Sequence, residues 1–349
     1  MTDWQQTFIE SGLDVVFRAD DPQLWVRTHD RLSFRPVNFL PSALDYQLSY
    51  QRGQGGVWQD ISCVLRWNNQ AVGLWPLTVA ERSGVTLLTA QGMPVTQPLF
   101  VAECSASIRK KYTADCLSFA ERLAARLGLN EWRSSPAFIG GGELDDWQLV
   151  AMGRGAKCAV RHELYVDLRM TLAEIKSCFR RSYRSLVTSG SRLWSVEILR
   201  APGDSAVWDE FRLFHAEVAG RLTRSLDSWQ SQHDSLVADE SFLVVLRDPS
   251  ARMVGAGYFM CSCDEGVYAV AAYDRSLFDK PLGHIVQYRA IEELKRRGCR
   301  WYRIGTRCFP GEDPAPNSKE LAIAAFKQGF ASHVFPSFLL THSVVAERA

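Results

Sequence analysis

Tyr273, Asp274, His284 and Tyr302 are the residues of this chain whose types and spacing could do chemistry together. Tyr273 and Asp274 end an apolar, β-forming run, VYAVAAYD (267–274), and ligands meet open α/β sheets at strand ends. A surface strand end is the plain alternative. His284 follows the turn FDKPLG (278–283) and opens an amphipathic stretch. The positive end of a helix dipole favours the neutral imidazole, the form that can act as a base. A capping or solvent-facing histidine would look the same in sequence. Tyr302, in CRWYRIGT (299–306), could give a proton to a leaving thiolate or alcohol, unless it is a core aromatic. A second group lies in HAEVAGRLTRSLDSWQSQ (215–232): His215, Arg221, Arg224 and Trp229. Arginine offers a planar fork to carboxylate or phosphate, and tryptophan a flat apolar face. This text follows a helix and has no clean periodicity, so it also reads as a surface loop.

The elements that must position these residues are legible around them. HIVQYRAIEELKRRG (284–298) repeats Ile285, Tyr288, Ile291 and Leu294 on one side, with i,i+4 pairs Glu292/Arg296 and Glu293/Arg297 on the other. Gly298 stands where a helix C-terminus belongs. Strand, helix and strand from 267 to 306 predict two parallel strands joined by a right-handed crossover. Asn317 and Glu320 predict a capping box for a helix ending in AAFKQGF (324–330). Upstream, Thr171 and Glu174 predict another, for one helix carrying Leu172, Ile175, Phe179 and Leu186 inward. Lys176, Arg180, Arg181, Arg184 and Arg192 fall mostly on its other faces, either as a solvated basic surface or as a platform for phosphate.

This ordered set resembles the FemABX-like branch of the GNAT acyltransferase superfamily. The resemblance rests on YVDLRMTLAEIKSCFRRSYRSLVTSG (165–190), the long helix after a glycine turn, the aromatic strand WYRIG and the FKQGF ending. It covers roughly 160–340 well and 1–160 in outline. It implies an α/β fold with mixed sheets, built as two GNAT-like acyltransferase domains in tandem. The N-terminal half (1–160) would be degenerate, structural or acceptor-binding, and the C-terminal half (161–349) would carry the active site. It implies backbone around Val270 and Ala271 for the acyl oxygen, and Gly283 with His284 for the donor's pyrophosphate. It places Tyr273, His284 and Tyr302 at the chemistry. The link after the first helix, with His215, Arg221, Arg224 and Trp229, would border the acceptor beside Tyr273, Asp274 and His284. The turn Lys280–His284 departs from the acyl-CoA pattern of two glycines one residue apart, since only Gly283 matches. The expected activity is N-acyl transfer, from acyl-CoA or acetyl-CoA, to an amine of a cell-envelope or surface-glycan precursor, small-molecule or lipid-linked. Aminoacyl-tRNA is the alternative donor, and a non-catalytic glycan- or partner-binding protein the alternative class.

In the first half, ISCVLRW (61–67) and AVGLWPLTV (71–79) flank Asn68-Asn69-Gln70 as a hairpin. VTLLT (85–89) and EWRSS (131–135) read as strands and 108–127 as a helix. A formal net charge of +1 gives no overall case for DNA or RNA, and leaves only peripheral membrane contact open. The nine cysteines are scattered without zinc spacing, so no metal is expected and a reduced, cytoplasmic protein is the simplest account. The N-terminus has no basic, then apolar, targeting pattern. There is no GxSxG, Walker loop or GxGxxG, which removes hydrolase-elbow, nucleotide-hydrolysis and dinucleotide chemistry from consideration.

Overall fold

The computed structural model describes residues 2–137 and 144–344. Its architecture is mixed α/β, in two compact units: Met1–Arg161 with Pro336–Ala349, and His162–Phe335. The expected second half ran on to residue 349. The chain instead returns to the first unit at Pro336, because Leu340–Ser343 pair antiparallel with Glu131–Ser134 and Leu340 enters that unit's core. The strand His333–Ser343 had no marked sequence signal. No helix among the described residues is long and apolar enough to cross a membrane.

In the first unit, Cys63–Trp67 and Gln70–Trp75 form the expected hairpin. Asn68 and Asn69 have φ of 51° and 61°, the left-handed pair that a two-residue turn requires and asparagine tolerates. The strand expected to continue to 79 stops at Trp75. Pro76 has no N–H to give a ladder, and Thr78–Arg82 turns into another sheet between Val57–Asp60 and Val85–Thr89. The helix Ala106–Arg126 buries Tyr112, Cys116, Phe119 and Leu123 against a core that includes Phe8, Trp75 and Trp147.

The second unit is built on six neighbouring strands of a nine-stranded sheet, in the order Ser195–Leu199, Ser241–Arg247, Met253–Cys261, Glu265–Tyr273, Trp301–Arg307 and Lys157–Asp167. The first four are successive antiparallel neighbours. Glu265–Tyr273 and Trp301–Arg307 are parallel, joined by the helix Leu282–Arg296 as the crossover length predicts. That helix lies on one sheet face, where a side chain on Gly257 would meet Val286 at 2.5 Å. The helices Ser205–Ala219 and Leu226–Val237 lie on the other, with Trp208 against Tyr258 at 5.5 Å. Gly257 and Tyr258 are consecutive on a strand and so point to opposite faces.

Two sequence expectations fail here. Residues 226–237 are a helix capped by Ser225, not a loop. The single helix expected after Thr171 is two, Leu172–Cys178 and Arg181–Leu193, although its capping box is present. At the break Phe179 and Arg180 are extended, with ψ of 147° and 135°. Tertiary bonds compensate: the Arg180 N–H donates to the Gly329 carbonyl at 2.8 Å, and its Nη2 to that of Ala325 at 2.9 Å.

Candidate active site

The two parallel strands are paired over only three residues, Glu265–Val267 with Trp301–Arg303. Beyond Val267 they part. The register against Met253–Cys261 slips between Tyr258/Val270 and Phe259/Tyr268, so Ala269 is a bulge. A bulge bends its strand and frees the extra residue from the ladder. One edge of 268–273 therefore faces a wedge that no strand among the described residues fills. Val270 and Ala271, expected at an acyl oxygen, lie on this edge.

The wedge is lined on the crossover-helix side by a hydroxyl and amide seam. Tyr268 and Tyr273 share a hydrogen bond at 3.0 Å. Tyr302 donates to Gln287 Oε1 at 2.5 Å, and Gln287 is fully buried. Burial raises the Tyr268 hydroxyl to about 12 and those of Tyr273 and Tyr302 well above the usual range. Tyr302 is 0% exposed. Its expected part as proton donor to a leaving group does not fit this placement, since its one proton is committed inside the core. The competing core reading describes it.

His284 stands in the first turn of Leu282–Arg296, ringed by Tyr183, Phe326 and Phe330 at centroid distances of 4.5, 5.3 and 5.9 Å. Both its ring nitrogens are buried with no hydrogen-bond partner among the described residues. Burial, then the Arg180 charge, lowers its pKa to about 4, so it is neutral at ordinary pH. Gly283 packs tightly: a Cβ there would lie 2.9 Å from Phe326 Cζ and 3.6 Å from Tyr273 Cζ. Asp274 is occupied, capping Ser276 and pairing with Arg252 at 2.9 Å.

The second residue group gathers elsewhere. Arg224 lies over the Trp229 ring at 5.1 Å, and its Nη1 is 3.4 Å from His215 Nε2. His215 meets Trp229 at 5.3 Å. Burial, then Arg224, lowers His215 to about 4. Arg221 is exposed and outside this cluster. The expected convergence of these residues on Tyr273 and His284 does not occur. Trp229 packs with Trp208 on the Tyr258 face, whereas Tyr273 stands opposite Gly255 on the crossover-helix face. The sheet lies between them.

A charged group the sequence reading missed, Lys327, stands at the wedge instead, and two more, Glu265 and Arg303, lie on the paired segment beneath it. Lys327 Nζ lies over the Tyr268 ring at 5.4 Å. Burial lowers its pKa, while Glu163 and Cys308 pull it back up. Burial raises the pKa of Glu163, countered by Arg303, Thr306 and Lys327. Arg303 is 3.5 Å from the fully buried Glu265. The available signal was a lysine in the FKQGF ending, held between two phenylalanines on the inward side of a helix.

No protein-family model and no curated protein matches the sequence. Solved structures do match in shape. FemX superposes with a TM-score of 0.63 at 13% identity, over 99% of this chain and 97% of its own. L-PGS from Bacillus licheniformis gives 0.59 at 11%, over 94% and 93%. A tandem GNAT protein from the clavulanic acid biosynthesis pathway gives 0.51 at 15%, over 95% and 99%. The fold is thus FemABX-like, two GNAT-type domains in tandem. At these identities the likeness establishes the fold alone.

Proposed function

We propose that this chain is an acyltransferase that moves an acyl or aminoacyl group onto an amine by direct attack in the wedge of the second unit. The observation that carries the reading is the wedge itself: strands paired over three residues and then apart, a bulge at Ala269, and the Lys327 amine beside Tyr268. Unladdered backbone N–H groups near Val270 and Ala271 would hold the acyl oxygen as charge develops on it. The acceptor nitrogen attacks the carbonyl carbon, a C–N bond forms and the bond to the donor's leaving oxygen or sulfur breaks. One proton passes from the attacking nitrogen to the leaving atom. Lys327, whose amine burial pushes towards neutrality, is the group placed to carry it.

An aminoacyl-tRNA ester suits this site better than acyl-CoA. Phe326 packs on Gly283, where a pyrophosphate would approach the helix start. Residues 175–196 hold five cations and no acid. They form helices beside that start: a Cβ on Gly190 would lie 2.9 Å from Pro281. Such a surface suits a phosphate backbone. Acyl-CoA is the second reading, favoured by the tandem GNAT neighbour, a structure described as without AcCoA. The acceptor would be an amine of a small-molecule or lipid-linked envelope or glycan precursor.

Calorimetry of the full chain with charged tRNA, CoA and acetyl-CoA tests the donor. Charged tRNA is expected to bind with strong salt dependence, and CoA to show no binding at millimolar concentration. Tight CoA binding without tRNA binding moves the reading to acyl-CoA. Lys327→Gln should lower transfer by about 100-fold or more; full activity in that variant, or neither donor bound, overturns the mechanism.

A further inference from the structure

The first unit holds a cleft of about 380 Å³ that the transferase reading leaves unused. Small-molecule sites run from about 300 to 1,000 Å³, so this one suits a ligand of dipeptide size. One wall is a stripe of the helix Ala106–Arg126, on which Ala106, Arg109 and Thr113 recur at helical spacing. The start of the helix Asp146–Gly153, the segment 97–100 and Phe34 supply the rest. Two observations point to a ligand. Gln97 Oε1 is buried and has no hydrogen-bond partner among the described residues. A buried carbonyl without a donor is costly, and a ligand N–H would satisfy it. Arg109 and Asp146, both exposed, bring opposite charges to the cleft from different helices, and neither has a salt-bridge partner among the described residues. Arg109 lies in the first turn of its helix, where the dipole adds to its pull on an anion. Asp145 is occupied, since it caps the other helix by accepting the Gln148 N–H at 2.9 Å. Phe34 and Phe100 offer apolar surface beside these groups.

We infer that this cleft binds a dipeptide-sized zwitterion with an apolar side chain: its carboxylate on Arg109, its ammonium towards Asp146 and Gln97 Oε1, its side chain on Phe34 and Phe100. A ligand carrying one sign of charge would meet a group of its own sign on the cleft, which disfavours it. The site lies within the first unit and does not depend on the transferase reading. Either can fail without the other.

Calorimetry of the full chain with L-alanyl-L-leucine tests this, beside two forms of the peptide that each lack one charge. The free dipeptide should bind with a Kd of about 0.1 mM or tighter. The N-acetyl form has no ammonium and the C-terminal amide no carboxylate, and each should bind about tenfold or more weaker. Arg109→Gln should weaken the free dipeptide about tenfold and leave the amide unchanged, because the amide has no carboxylate for the guanidinium to hold. Asp146→Asn should weaken the free dipeptide similarly and leave the N-acetyl form unchanged. Both side chains are exposed, so each variant should match the parent in circular dichroism and melting. No saturable binding of the dipeptide at millimolar concentration overturns the inference. So does equal binding of the three forms, a dipeptide affinity that neither variant changes, or a loss in either variant that is the same for all three forms.

Discussion

His215, His284 and His342 are each held neutral by burial, with pKa lowered from 6.5 to about 4. His342 is the deepest, at 5% exposure. It stacks on Trp132 at 3.8 Å, and its Nε2 is 2.8 Å from Ser134 Oγ, which also accepts from Trp147 Nε1. Above pH 6.5 these rings are neutral folded or unfolded, and they contribute no pH dependence. Between 6.5 and about 4 the unfolded chain takes up protons that the native state refuses, so native stability falls. Glu293 adds a loss at lower pH. Burial alone would raise its pKa, but Arg296, Arg200 and Arg297 hold it well below the carboxylate range, so its stabilisation is lost progressively as pH falls below the ordinary 4.5. Calorimetric melting should therefore drop from pH 6.5 to 4. His342→Phe, which keeps a stacking ring but cannot be protonated, should melt lower at pH 7 yet fall less steeply. Parallel pH curves for parent and variant would show that His342 is not a contributor.

At the scale of elements, the helix Arg181–Leu193 and the crossover helix meet through Gly190, where a Cβ would lie 2.5 Å from Ile285 Cγ1 and 2.9 Å from Pro281 Cγ. Alanine there would gain up to about 1 kcal/mol of helix propensity, which partly masks the clash. Gly190→Leu removes that ambiguity. Overpacking of this kind costs about 1–3 kcal/mol, which in a unit of this size lowers Tm by several degrees. Thermal melting beside a Ser191→Ala control, on the exposed side of the same helix, checks it; equal melting of both would refute the close packing. This element also shows where sequence reading stops. Capping boxes at Thr171/Glu174 and Asn317/Glu320 were readable because they are local chemistry. The break at Phe179–Arg180 was not, because the acceptors that make it tolerable are the Gly329 and Ala325 carbonyls, far along the chain.

For the whole molecule, the return of the chain to the first unit gives a prediction. Ending the protein at Phe335 removes the strand that covers Glu131–Ser134, and with it Leu340 and His342. Hydrogen exchange should then rise in 131–135 and around Trp147, while 241–273 in the second unit keeps its protection. Loss of protection in both units together would mean that they fold as one. By itself the sequence determined most elements of the second unit, though not the helix 226–237 or the break at Phe179–Arg180, together with the crossover from 267 to 306 and the tandem fold. Periodicity, caps and turns act within a few residues, and the order of elements limits the topologies open to them. It also brought forward Tyr273, His284 and Gly283, which stand at the ends of those elements. Only the tertiary structure decided which side chains share a space. It buried Tyr302, set the sheet between Trp229 and Tyr273, and brought Lys327 over Tyr268. Those outcomes depend on strand order and on which face each side chain takes, and a one-residue bulge such as that at Ala269 resets the alternation for everything beyond it.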